Sequence, residues 1–498
     1  MQGYIIGVDI GTGSAKAVAV DHYGNIIGST QYSYPTIIGD AAKQEQEPEA
    51  LWNAFLSCIK DLIVQLQNLP TSVSLSSAMH SIMAVNQEGK PISNLIIWSD
   101  GRSKEIAQKL RTEKEGLSIY NATGTPIHAM SPLCKIIWWR ENERDIFTKA
   151  HKFISIKEFI WYRLFNEYTI DHSIASATGL FNIDTLNWNS ESLEKAQITT
   201  KQLSTPVPTD YHRKGISMEA CNLSGLNPST PVCIGASDGC LANLGTNSLN
   251  IGVAAITIGT SGAVRIASRV PIRNSATMSF NYILDSQNFI CGGPINNGGN
   301  VMEWLIRNFL DNEDLGTDPY SSIFNMIHKI PAGSEGLIFL PYIFAERAPV
   351  WDEESSGIFM GIKQIHTKAH FISSIIEGVC FALKEVLELI EDASCEINEI
   401  HASGAFIKSK DWVQLLANVT GKPIIIVETD DASAIGAAFM AYRSLGIIKD
   451  LNEMKHQSRI VIPDQSKAQE YSKIFTVYKT MYSGLQHSMH LLYKTITT

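Results

Sequence analysis

The chain has 498 residues, 44% of them hydrophobic and 18% charged, with a formal net charge of −10 at pH 7. This length is too great for one ordinary core and predicts two sizeable domains, while the composition excludes an intrinsically disordered chain. The negative charge argues against a general nucleic-acid-binding role, but a local site can still bind an anion such as phosphate.

The opening segment and the cysteines indicate the compartment. The segment MQGYIIGVDIG lacks a basic region and a small-residue cleavage site, so we interpret it as a first strand and not as a signal peptide. No apolar run approaches the length needed to span a bilayer. The eight cysteines are scattered and contain no C-x-x-C pair, which is typical of buried thiols in a reducing cytoplasm.

The first half of the chain begins with strands. The runs YIIGVDIG and KAVAVD flank a glycine-rich turn, and a third strand follows the turn DHYGN. Residues 47–66 carry apolar side chains at helical spacing and acidic residues in the first turn, which predicts a helix. The strand TSVSLSS leads to AMHSIMAVN, and the apolar strand PVCIGASDG ends at an Asp-Gly pair.

The second half repeats this order. AAITIGTSGAVRIA is again strand, turn and strand, and residues 369–392 form a long amphipathic pattern. The strand EIHASGAF enters a glycine-bearing turn, and the helix DWVQLLANVTG has Gly421 as its predicted C-cap. Strands and helices mixed twice over predict an α/β protein of two domains, residues 1–247 and 248–498, with a cleft between them.

The hairpin at residues 7–20 is similar in sequence to the hairpin at residues 254–267. Each tip combines Gly, Thr and Ser, which expose backbone N–H groups and small hydroxyls that can bind phosphate oxygens. One such hairpin alone is equally well explained as an ordinary turn. Two of them, one in each predicted domain, favour a protein that holds a polyphosphate from both sides. The spacing matches neither a Walker loop nor a dinucleotide fingerprint, since G-x-x-x-x-G-K-[ST] is absent and no helix follows the turn.

Two carboxylates stand at strand ends. Asp9 lies at the tip of the first strand, where a carboxylate suits Mg²⁺, an ion that is usually held through water. Asp238 ends the strand PVCIGASDG before Gly239, where it can accept a proton from an attacking hydroxyl. An Asp-Gly pair at a strand end is more often only a turn former, so the residue types alone leave both interpretations open.

Longer segments resemble the FGGY carbohydrate kinases, a family of the actin-like, ribonuclease-H-like superfamily. Residues 130–142, MSPLCKIIWWREN, fit the first family signature except that Trp139 stands where a smaller apolar residue is usual. Residues 357–377, GIFMGIKQIHTKAHFISSIIE, fit the second signature throughout. DIGTGSAKA and TIGTSGAVR resemble the two phosphate loops, and GASDG resembles the catalytic-base motif. The resemblance implies an α/β fold of two actin-like/ribonuclease-H-like domains with a catalytic cleft between them.

Within the family, several stretches are most similar to gluconate kinases: SSAMHS, TGTPIHAMSPL, SIASATGLFN, GGPINNGG and ERAPVWD. Xylulose kinases share the Met79-His80 pair and a DGRS-like segment, so TGTPIH and NNGG carry the assignment. The resemblance therefore implies a cytoplasmic kinase that uses ATP and Mg²⁺ to phosphorylate the terminal hydroxyl of a sugar acid, converting D-gluconate to 6-phospho-D-gluconate.

The resemblance also implies a role for each matching residue. Asp238 would be the general base, and Asp9 would help to place Mg²⁺. The ATP-binding residues would be Thr12, Gly13, Ser14, Lys16, Gly259, Thr260, Ser261, Asn297, Gly404 and Ala405. The substrate-binding residues would be Met79, His80, Ser81, Asp100, Arg102, Met130 and Asp238.

Three points of this assignment have alternatives. The adenosine turn of the family is usually rich in glycine, whereas ASGAFIKS has only Gly404 at its centre. The segment NNGGN is equally well explained as a loop that caps the helix VMEWLIRNFL. A gluconate carboxylate must be paired with a cation or with backbone donors, and the sequence does not choose between Lys157, Arg102 and Arg347. For Arg347, an ion pair with Glu346 or another acid is the simpler interpretation.

Other functions are weighed against this one. The nearest is the same chemistry on xylulose or another sugar. An actin-like or chaperone-like ATPase would also bind ATP, but such proteins lack the GASDG motif together with both kinase signatures. A catalytically inactive sensor would not need Asp9, Thr12 and Asp238, which are all present. We expect no nucleic acid and no membrane as a partner, and a homodimer is suggested by the resemblance alone.

Overall fold

The computed structural model describes residues 3–40, 42–310, 318–427, 431–448 and 458–497. By packing, the chain divides into two units. Unit 1 takes its described residues from Met1–Leu249, Ala267–Cys291 and Asp431–His456, and unit 2 takes them from Asn250–Ile266, Gly292–Asp430 and Gln457–Thr498. Two later segments thus belong to the first unit. The predicted boundary between residues 247 and 248 divides the chain by sequence and stays a prediction.

Strands and helices alternate through most of the chain. The strands are β1 (Tyr4–Ile10), β2 (Ser14–Asp21), β3 (Ile26–Ser33), β4 (Ile37–Ile38), β5 (Gln44–Gln46), β6 (Ser72–Ser77), β7 (Met83–Val85), β8 (Leu95–Ile96), β9 (Lys152–Ile154), β10 (Thr169–Asp171), β11 (Phe181–Asn182), β12 (Asn187–Trp188), β13 (Thr205–Val207), β14 (His212–Arg213), β15 (Val232–Ser237), β16 (Val253–Ile258), β17 (Gly262–Ser268), β18 (Phe280–Ile283), β19 (Phe289–Ile295), β20 (Ile338–Leu340), β21 (Ile358–Met360), β22 (Glu399–Ser403), β23 (Ile424–Val427) and β24 (Ser458–Val461).

The helices follow the same chain order. They are α1 (Pro48–Leu66), α2 (Lys104–Thr112), α3 (Lys114–Thr123), α4 (Pro132–Asn142), α5 (Arg144–Lys149), α6 (Ile156–Phe165), α7 (His172–Ser176), α8 (Ser190–Ala196), α9 (Met218–Ser224), α10 (Asp238–Gly245), α11 (Gly299–Phe309), α12 (Pro319–Ile327), α13 (Lys368–Ala393), α14 (Lys410–Thr420), α15 (Ala432–Ser444) and α16 (Gln465–Thr497). Short 3₁₀ helices span Thr200–Gln202, Ser334–Gly336 and Ala405–Lys408.

Unit 1 is built on a six-stranded sheet in the order β14-β15-β6-β1-β2-β3. The strands β1, β6 and β15 run parallel, whereas β2 pairs antiparallel with both β1 and β3. Two successive strands that run in the same direction must be joined by a crossover, and α1 supplies this crossover between β3 and β6. The strands predicted from the opening sequence and the helix predicted at residues 47–66 are confirmed.

Alternate residues of β1 enter two different cores. Ile6 and Ile10 pack in a cluster with residues of α1 such as Phe55, whereas Ile5 packs with residues of α10 and α15. This is the period of two expected of a strand covered on both faces. A Cβ on Gly7 would lie 1.8 Å from the carbonyl oxygen of Ala434, so only glycine permits this close approach of β1 to α15.

In unit 2 the strand order is β19-β17-β16-β22-β23-β24. The strand β16 pairs antiparallel with β17 and parallel with β22, and β22 pairs parallel with β23. This repeats the arrangement of β1, β2 and β6 in unit 1. The long predicted amphipathic helix is α13, whose apolar positions are buried, and the predicted C-cap Gly421 ends α14 with a φ of 70°.

Two predictions made from the sequence as a whole, on membrane-spanning segments and on the cysteines, can be compared with the structure. Among the described residues, no helix is long and apolar enough to cross a membrane. The eight cysteines are free thiols; Cys395 is partly exposed and the others are buried, as predicted for a chain without a disulfide framework.

Candidate active site

Three parallel strands of unit 1 end side by side. In the ladder, Ile10 of β1 lies opposite Ser77 of β6, and Ser77 lies opposite Ser237 of β15. Beyond these residues the chain continues into the first glycine-rich turn, into residues 78–81 and into Asp238. The predicted first phosphate loop, a predicted sugar-binding segment and the predicted general base therefore lie at one edge of the sheet, where parallel strands end together.

The first glycine-rich turn is held by side chains on one side. The N–H of Gly11 donates to Ser14 O at 3.0 Å, which closes the turn. Gln46 donates to the carbonyl of Thr12, and Trp98 Nε1 donates to Thr12 Oγ1 at 2.9 Å. A Cβ on Gly13 would meet no heavy atom within 4 Å. The position of a Cβ on Gly13 is therefore open space in the described structure.

Asp9 stands at the end of β1 among charged groups. Ser76 Oγ, on the neighbouring strand β6, donates to Asp9 Oδ1 at 2.6 Å. Burial, and then the negative charge of Asp238, raises the pKa of Asp9 to about 7, while the Ser76 hydrogen bond and the charge of Lys16 act in the opposite direction. Lys16 lies opposite Asp9 in the ladder, with its Nζ 3.2 Å from Asp431 Oδ1. This edge therefore gathers carboxylates around one lysine.

Asp238 is the first residue of α10. Its Oδ1 accepts a hydrogen bond from the N–H of Gly239 at 2.7 Å, and its carbonyl accepts one from Ser433 Oγ at 3.1 Å. The residue is partly exposed. Its main chain and one carboxylate oxygen are thus held in place at the sheet edge, where the carboxylate can accept a proton from a bound hydroxyl.

A small cavity lies beside the first turn. Its lining includes Thr12, Gln46, Met79, Ser81 and Trp98. Met79 and Ser81 belong to the predicted substrate-binding set, whereas Met130 lies outside this lining and is 1% exposed. Sequence reasoning did not select Gln46 and Trp98. For Trp98, the available signal was its place two residues before Asp100 in IIWSDGRS; the sequence around Gln46 offered none.

His80 is held by protein groups on both ring nitrogens. Its Nδ1 lies 2.7 Å from the carbonyl oxygen of Ala177, so Nδ1 carries a hydrogen, and its Nε2 lies 3.1 Å from the hydroxyl of Tyr282. Its φ is 65°, in the left-handed region that few residues other than glycine adopt, and its carbonyl accepts a hydrogen bond from Lys135 Nζ at 2.7 Å. Donation from His80 to a sugar hydroxyl would require one ring partner to be exchanged.

Asp100 and Arg102 form a closed network. Arg102 Nε lies 3.1 and 3.0 Å from the two carboxylate oxygens of Asp100, and Arg102 Nη2 lies 2.7 Å from Glu45 Oε1. The guanidinium carbon lies 4.5 Å from the ring centroid of Trp138. Two carboxylates already neutralise this arginine, so a sugar-acid carboxylate would have to compete with them.

The other two cations considered for a sugar-acid carboxylate also have protein partners. Lys157 is 1% exposed, and its Nζ lies 2.8 Å from Asp171 Oδ2 and 2.7 Å from the carbonyl oxygen of Ala236. Arg347, in unit 2, donates to the carbonyl of Ile295 at 3.0 Å, and its charge favours the ionised form of Glu346. The interpretation of Arg347 as an ion-pair partner of Glu346 or another acid stays a prediction.

The second glycine-rich turn, in unit 2, is held by backbone. The N–H of Gly259 donates to Ser261 O at 2.9 Å. The N–H groups of Gly299 and Asn300, at the start of α11, donate to the carbonyls of Gly259 and Thr260 at 2.7 and 3.0 Å. A Cβ on Gly259 would meet no heavy atom within 4 Å, as at Gly13. Both turns therefore expose a glycine to open space.

The remaining predicted ATP-binding residues of unit 2 differ in exposure. Asn297 is fully buried; its Nδ2 donates to Ala345 O and to Glu346, and its Oδ1 accepts from Phe344 N–H. Gly404 has a φ of 98°, and a Cβ there would lie 2.4 Å from the carbonyl oxygen of Ile258, so the fold itself requires glycine. Ala405, which follows it, is exposed. Gly404 thus permits the end of β22 to approach β16.

Comparison with known proteins assigns the family. The N-terminal domain of the "FGGY family of carbohydrate kinases" matches residues 4–245, and its C-terminal domain matches residues 254–445. The chain belongs to the FGGY family of carbohydrate kinases. The predicted family and its α/β fold of two actin-like/ribonuclease-H-like domains are thereby confirmed. As an FGGY carbohydrate kinase, the chain is a phosphotransferase that uses ATP as its phosphoryl donor and an alcohol group as the acceptor.

Individual relatives of this FGGY kinase divide between two substrates. A gluconokinase of Bacillus subtilis is 37% identical, covering 96% of this chain and 95% of that protein, and a xylulose kinase of Staphylococcus xylosus is 26% identical, covering 96% and 99%. A solved gluconate kinase of Lactobacillus acidophilus superposes with a TM-score of 0.93 at 32% identity, covering 97% of this chain and 98% of that one. A solved xylulose kinase of the same species superposes with a TM-score of 0.94 at 32% identity, covering 98% and 100%.

The carboxylate of Asp9, at the end of β1, is the type of ligand through which Mg²⁺ binds. In the part of the chain that the structure describes, no group of three or more His, Cys, Asp or Glu side chains could hold a metal. Mg²⁺ keeps several waters and binds through one or two carboxylates. A nearby cation would stabilise the ionised form of Asp9, whose pKa is raised by burial and by Asp238. Bound there with ATP, the ion would neutralise charge on the phosphates.

Proposed function

We propose that this FGGY kinase phosphorylates the terminal hydroxyl of D-gluconate to give 6-phospho-D-gluconate, with ATP as donor and Asp238 as general base. The observation that carries the chemistry is the placement of Asp238 beside Asp9 and the first glycine-rich turn at one sheet edge. The choice of gluconate is supported by the 37% identity to a gluconokinase, against 26% to a xylulose kinase.

In this proposal Asp238 takes the proton of the attacking hydroxyl. As the sugar oxygen forms its bond to the γ-phosphorus, the bond between that phosphorus and the bridging oxygen breaks, and ADP leaves with the electron pair. The proton passes to the Asp238 carboxylate, whose Oδ1 is held by the N–H of Gly239. Positioning and charge stabilisation supply the rest of the catalysis in phosphoryl transfer.

The phosphates would be held by the two glycine-rich turns. In unit 1, Thr12, Gly13 and Ser14 would bind the transferring phosphoryl group with Lys16, and Asp9 would help to hold Mg²⁺. In unit 2, the corresponding assignment for the other phosphates and for adenosine comprises Gly259, Thr260, Ser261, Asn297, Gly404 and Ala405. The exposed glycine tips at Gly13 and Gly259 support this assignment, since a Cβ there meets no protein atom within 4 Å.

The sugar would bind at the carboxyl end of β6. Met79 and Ser81 line the cavity beside Thr12, which supports their assignment. His80, Asp100, Arg102 and Met130 complete the proposed set, and the hydrogen-bond networks of His80 and Arg102 support a role in shaping this wall of the site. For localisation we propose a cytoplasmic enzyme, which the scattered free cysteines favour. A homodimer is suggested by the family resemblance alone.

A second candidate is xylulose phosphorylation, favoured by one observation. The solved xylulose kinase superposes as well as the solved gluconate kinase and at the same 32% identity. The backbone therefore does not discriminate between these substrates, and the preference for gluconate depends on sequence identity.

A coupled ADP-release assay tests the proposal. The purified chain is given MgATP with gluconate, xylulose, ribulose, glycerol or no sugar, and an Asp238→Asn variant runs in parallel. ADP release that requires gluconate and is lost in the variant supports the proposal. Release with xylulose and none with gluconate would replace the substrate and keep the mechanism. Release that ignores every sugar would overturn the kinase assignment of the site.

A further inference from the structure

A buried carboxylate in unit 2 has no role in the proposed chemistry. Glu346 is 1% exposed, yet it is surrounded by N–H donors. Its Oε1 accepts hydrogen bonds from the backbone N–H groups of Asn296, at 2.5 Å, and Arg347, at 2.8 Å, and its Oε2 accepts one from Asn297 Nδ2 at 2.9 Å. Burial raises the pKa of Glu346 to about 7, while these donors favour the ionised form. Burial of a carboxylate costs free energy, and its hydrogen bonds show which backbone segment it positions.

Two of these three donors, Asn296 and Asn297, belong to the segment that runs from the end of β19 into the first turn of α11, residues 296–300, which we name the clasp. Asn300 closes the clasp on itself, because its Oδ1 accepts from Gly298 N–H at 2.9 Å and its Nδ2 donates to Asn296 O at 3.0 Å. Asn297 is fixed further by bonds to Ala345 and Phe344. These hydrogen bonds together hold the clasp in the observed conformation, and Glu346 anchors its first half.

The second half of the clasp is hydrogen-bonded to the second glycine-rich turn. Gly299 and Asn300 donate through their N–H groups to the carbonyls of Gly259 and Thr260. The contact is close: a Cβ on Gly298 would lie 2.6 Å from the carbonyl carbon of Ser261, and a Cβ on Gly299 would lie 2.5 Å from the carbonyl oxygen of Gly259. These bonds fix two of the turn's carbonyls and hence the direction of its peptide N–H groups.

We propose that Glu346 is a positioning residue for the nucleotide, acting through the clasp to hold the second glycine-rich turn in the conformation that binds phosphate. This inference rests on the proposed function of that turn. It assigns no contact between Glu346 and ATP. The consequence is specific: loosening Glu346 should weaken nucleotide binding and leave the affinity for the sugar unchanged.

The substitution Glu346→Gln separates this role from a loss of volume. A glutamine has nearly the same shape, but its amide nitrogen cannot accept a hydrogen bond. Both carboxylate oxygens of Glu346 face donors, so either orientation of the amide sets an N–H group against at least one donor. An unsatisfied buried donor is costly, and we expect about a tenfold loss of affinity for MgADP and a similar rise in KM for ATP.

Glu377 in the same unit provides a matched control. It is 2% exposed, burial raises its pKa to about 7, and it accepts three hydrogen bonds, from Gly333 N–H, Ser334 Oγ and Tyr471 OH. None of these partners belongs to the clasp or to the second turn. Glu377→Gln should therefore lower the thermal stability to a similar extent, with MgADP affinity and KM for ATP within about twofold of the parent chain.

The experiment is calorimetric titration of the full chain with MgADP, together with steady-state kinetics in which ATP and gluconate are varied separately. The inference is supported if Glu346→Gln shifts the MgADP affinity and the KM for ATP about tenfold, with the KM for gluconate within about twofold and Glu377→Gln near the parent. It is overturned if Glu346→Gln binds MgADP like the parent, or if Glu377→Gln produces the same shift.

Two further outcomes are decisive. If Glu346→Gln does not fold, Asn300→Ala removes the two bonds that close the clasp, and an unchanged MgADP affinity in that variant would overturn the inference. If the parent chain binds no MgADP, the proposed function fails and the inference fails with it. Parent binding without an effect of either clasp variant would reject the inference alone.

Discussion

The two glycine-rich hairpins have the same strand pairing but different side chains at equivalent positions. Each pairs its first strand with a parallel neighbour that presents a serine: Ser76 Oγ bonds to Asp9 in unit 1, and Ser403 Oγ lies 2.9 Å from Thr257 Oγ1 in unit 2. Asp9 is opposite Lys16 in its ladder, whereas Thr257 is opposite Ala263. The same backbone arrangement therefore pairs an acid with a base in unit 1, whereas in unit 2 the neutral hydroxyl of Thr257 stands in place of the acid and accepts a hydrogen bond from Arg265 Nη1 at 3.3 Å.

The turns themselves also differ. Ile10 is opposite Ala15, which leaves four residues in the first turn, whereas Ile258 is opposite Gly262, which leaves three in the second. The first turn is supported by side chains such as Trp98, and the second by the backbone of α11. In the proposed function this difference corresponds to a division of labour, in which the first hairpin would serve the reacting phosphoryl group and the second would hold phosphates that do not react.

The largest effect in this comparison should come from Asp238, at the sheet edge that includes the first hairpin. We expect Asp238→Asn to lower kcat about 10²- to 10⁴-fold, because the attacking hydroxyl loses its proton acceptor. The thermal midpoint and the MgADP affinity should stay near those of the parent. Asp145→Asn, at a side chain 92% exposed on α5, is the control. A fall in kcat of less than threefold would remove Asp238 from the mechanism.

The next effect contrasts the equivalent positions of the two hairpins. Asp9→Asn should lower kcat about 10- to 100-fold and raise the Mg²⁺ concentration needed for half-maximal rate, since a group that helps to place the ion is lost. Thr257→Val removes the hydrogen bond with Ser403 and the one that Arg265 Nη1 donates, costing about 1–3 kcal/mol of stability, and should change kcat less than threefold. Equal losses in the two variants would contradict the division of labour. The measurements are rates across an Mg²⁺ titration.

A smaller effect distinguishes a glycine beside which the proposed ligand would bind from a glycine that the fold requires. Gly13→Ala should leave the thermal midpoint unchanged and raise KM for ATP about tenfold, because its Cβ meets no protein atom but occupies the ligand's space. Gly404→Ala should lower the free energy of unfolding by about 1–3 kcal/mol, since its φ is 98° and its Cβ would lie 2.4 Å from Ile258 O. Thermal melts and ATP kinetics on both variants test this. The idea fails if Gly13→Ala melts early with normal kinetics.

The smallest effect concerns the charge of Asp9 itself. Its folded-state pKa of about 7 lies above the ordinary value near 4, so the folded chain binds this proton more tightly than the unfolded chain does. The resulting stability is complete below about pH 4 and is lost as the pH rises through about 7. In EDTA, Asp9→Asn should therefore melt above the parent by a margin that grows from pH 5 to pH 8. A margin that is constant or shrinks would show that Asp9 is not held at a raised pKa; Thr257→Val is the control.

Local sequence carried much of the prediction. The alternation of apolar residues in YIIGVDIG and KAVAVD, with a turn between them, predicted β1 and β2 without any tertiary information. Gly421 was identified as a C-cap from its position after an amphipathic run. Such features depend on neighbours along the chain, and the sequence contains those neighbours.

Contacts between residues that are distant in sequence were less predictable. Arg102 and Lys157 were candidates for binding a sugar carboxylate, yet they are neutralised by Glu45, Asp100 and Asp171. Unit 1 also contains two segments that come after most of the second hairpin in sequence, residues 267–291 and 431–448. Gln46 and Trp98 hold the first turn through bonds that span 34 and 86 residues.

The sequence by itself determined the chain's family, its repeated hairpins and the residue types at their tips, because these are properties of order and spacing. Only the tertiary structure decided which charges are already paired and which glycines serve the fold. It also showed that the buried Glu346 anchors the clasp behind the second turn. The physical reason is that burial and hydrogen bonding are set by strands and loops that are distant in sequence, and a side chain's chemistry depends on these partners as much as on its type.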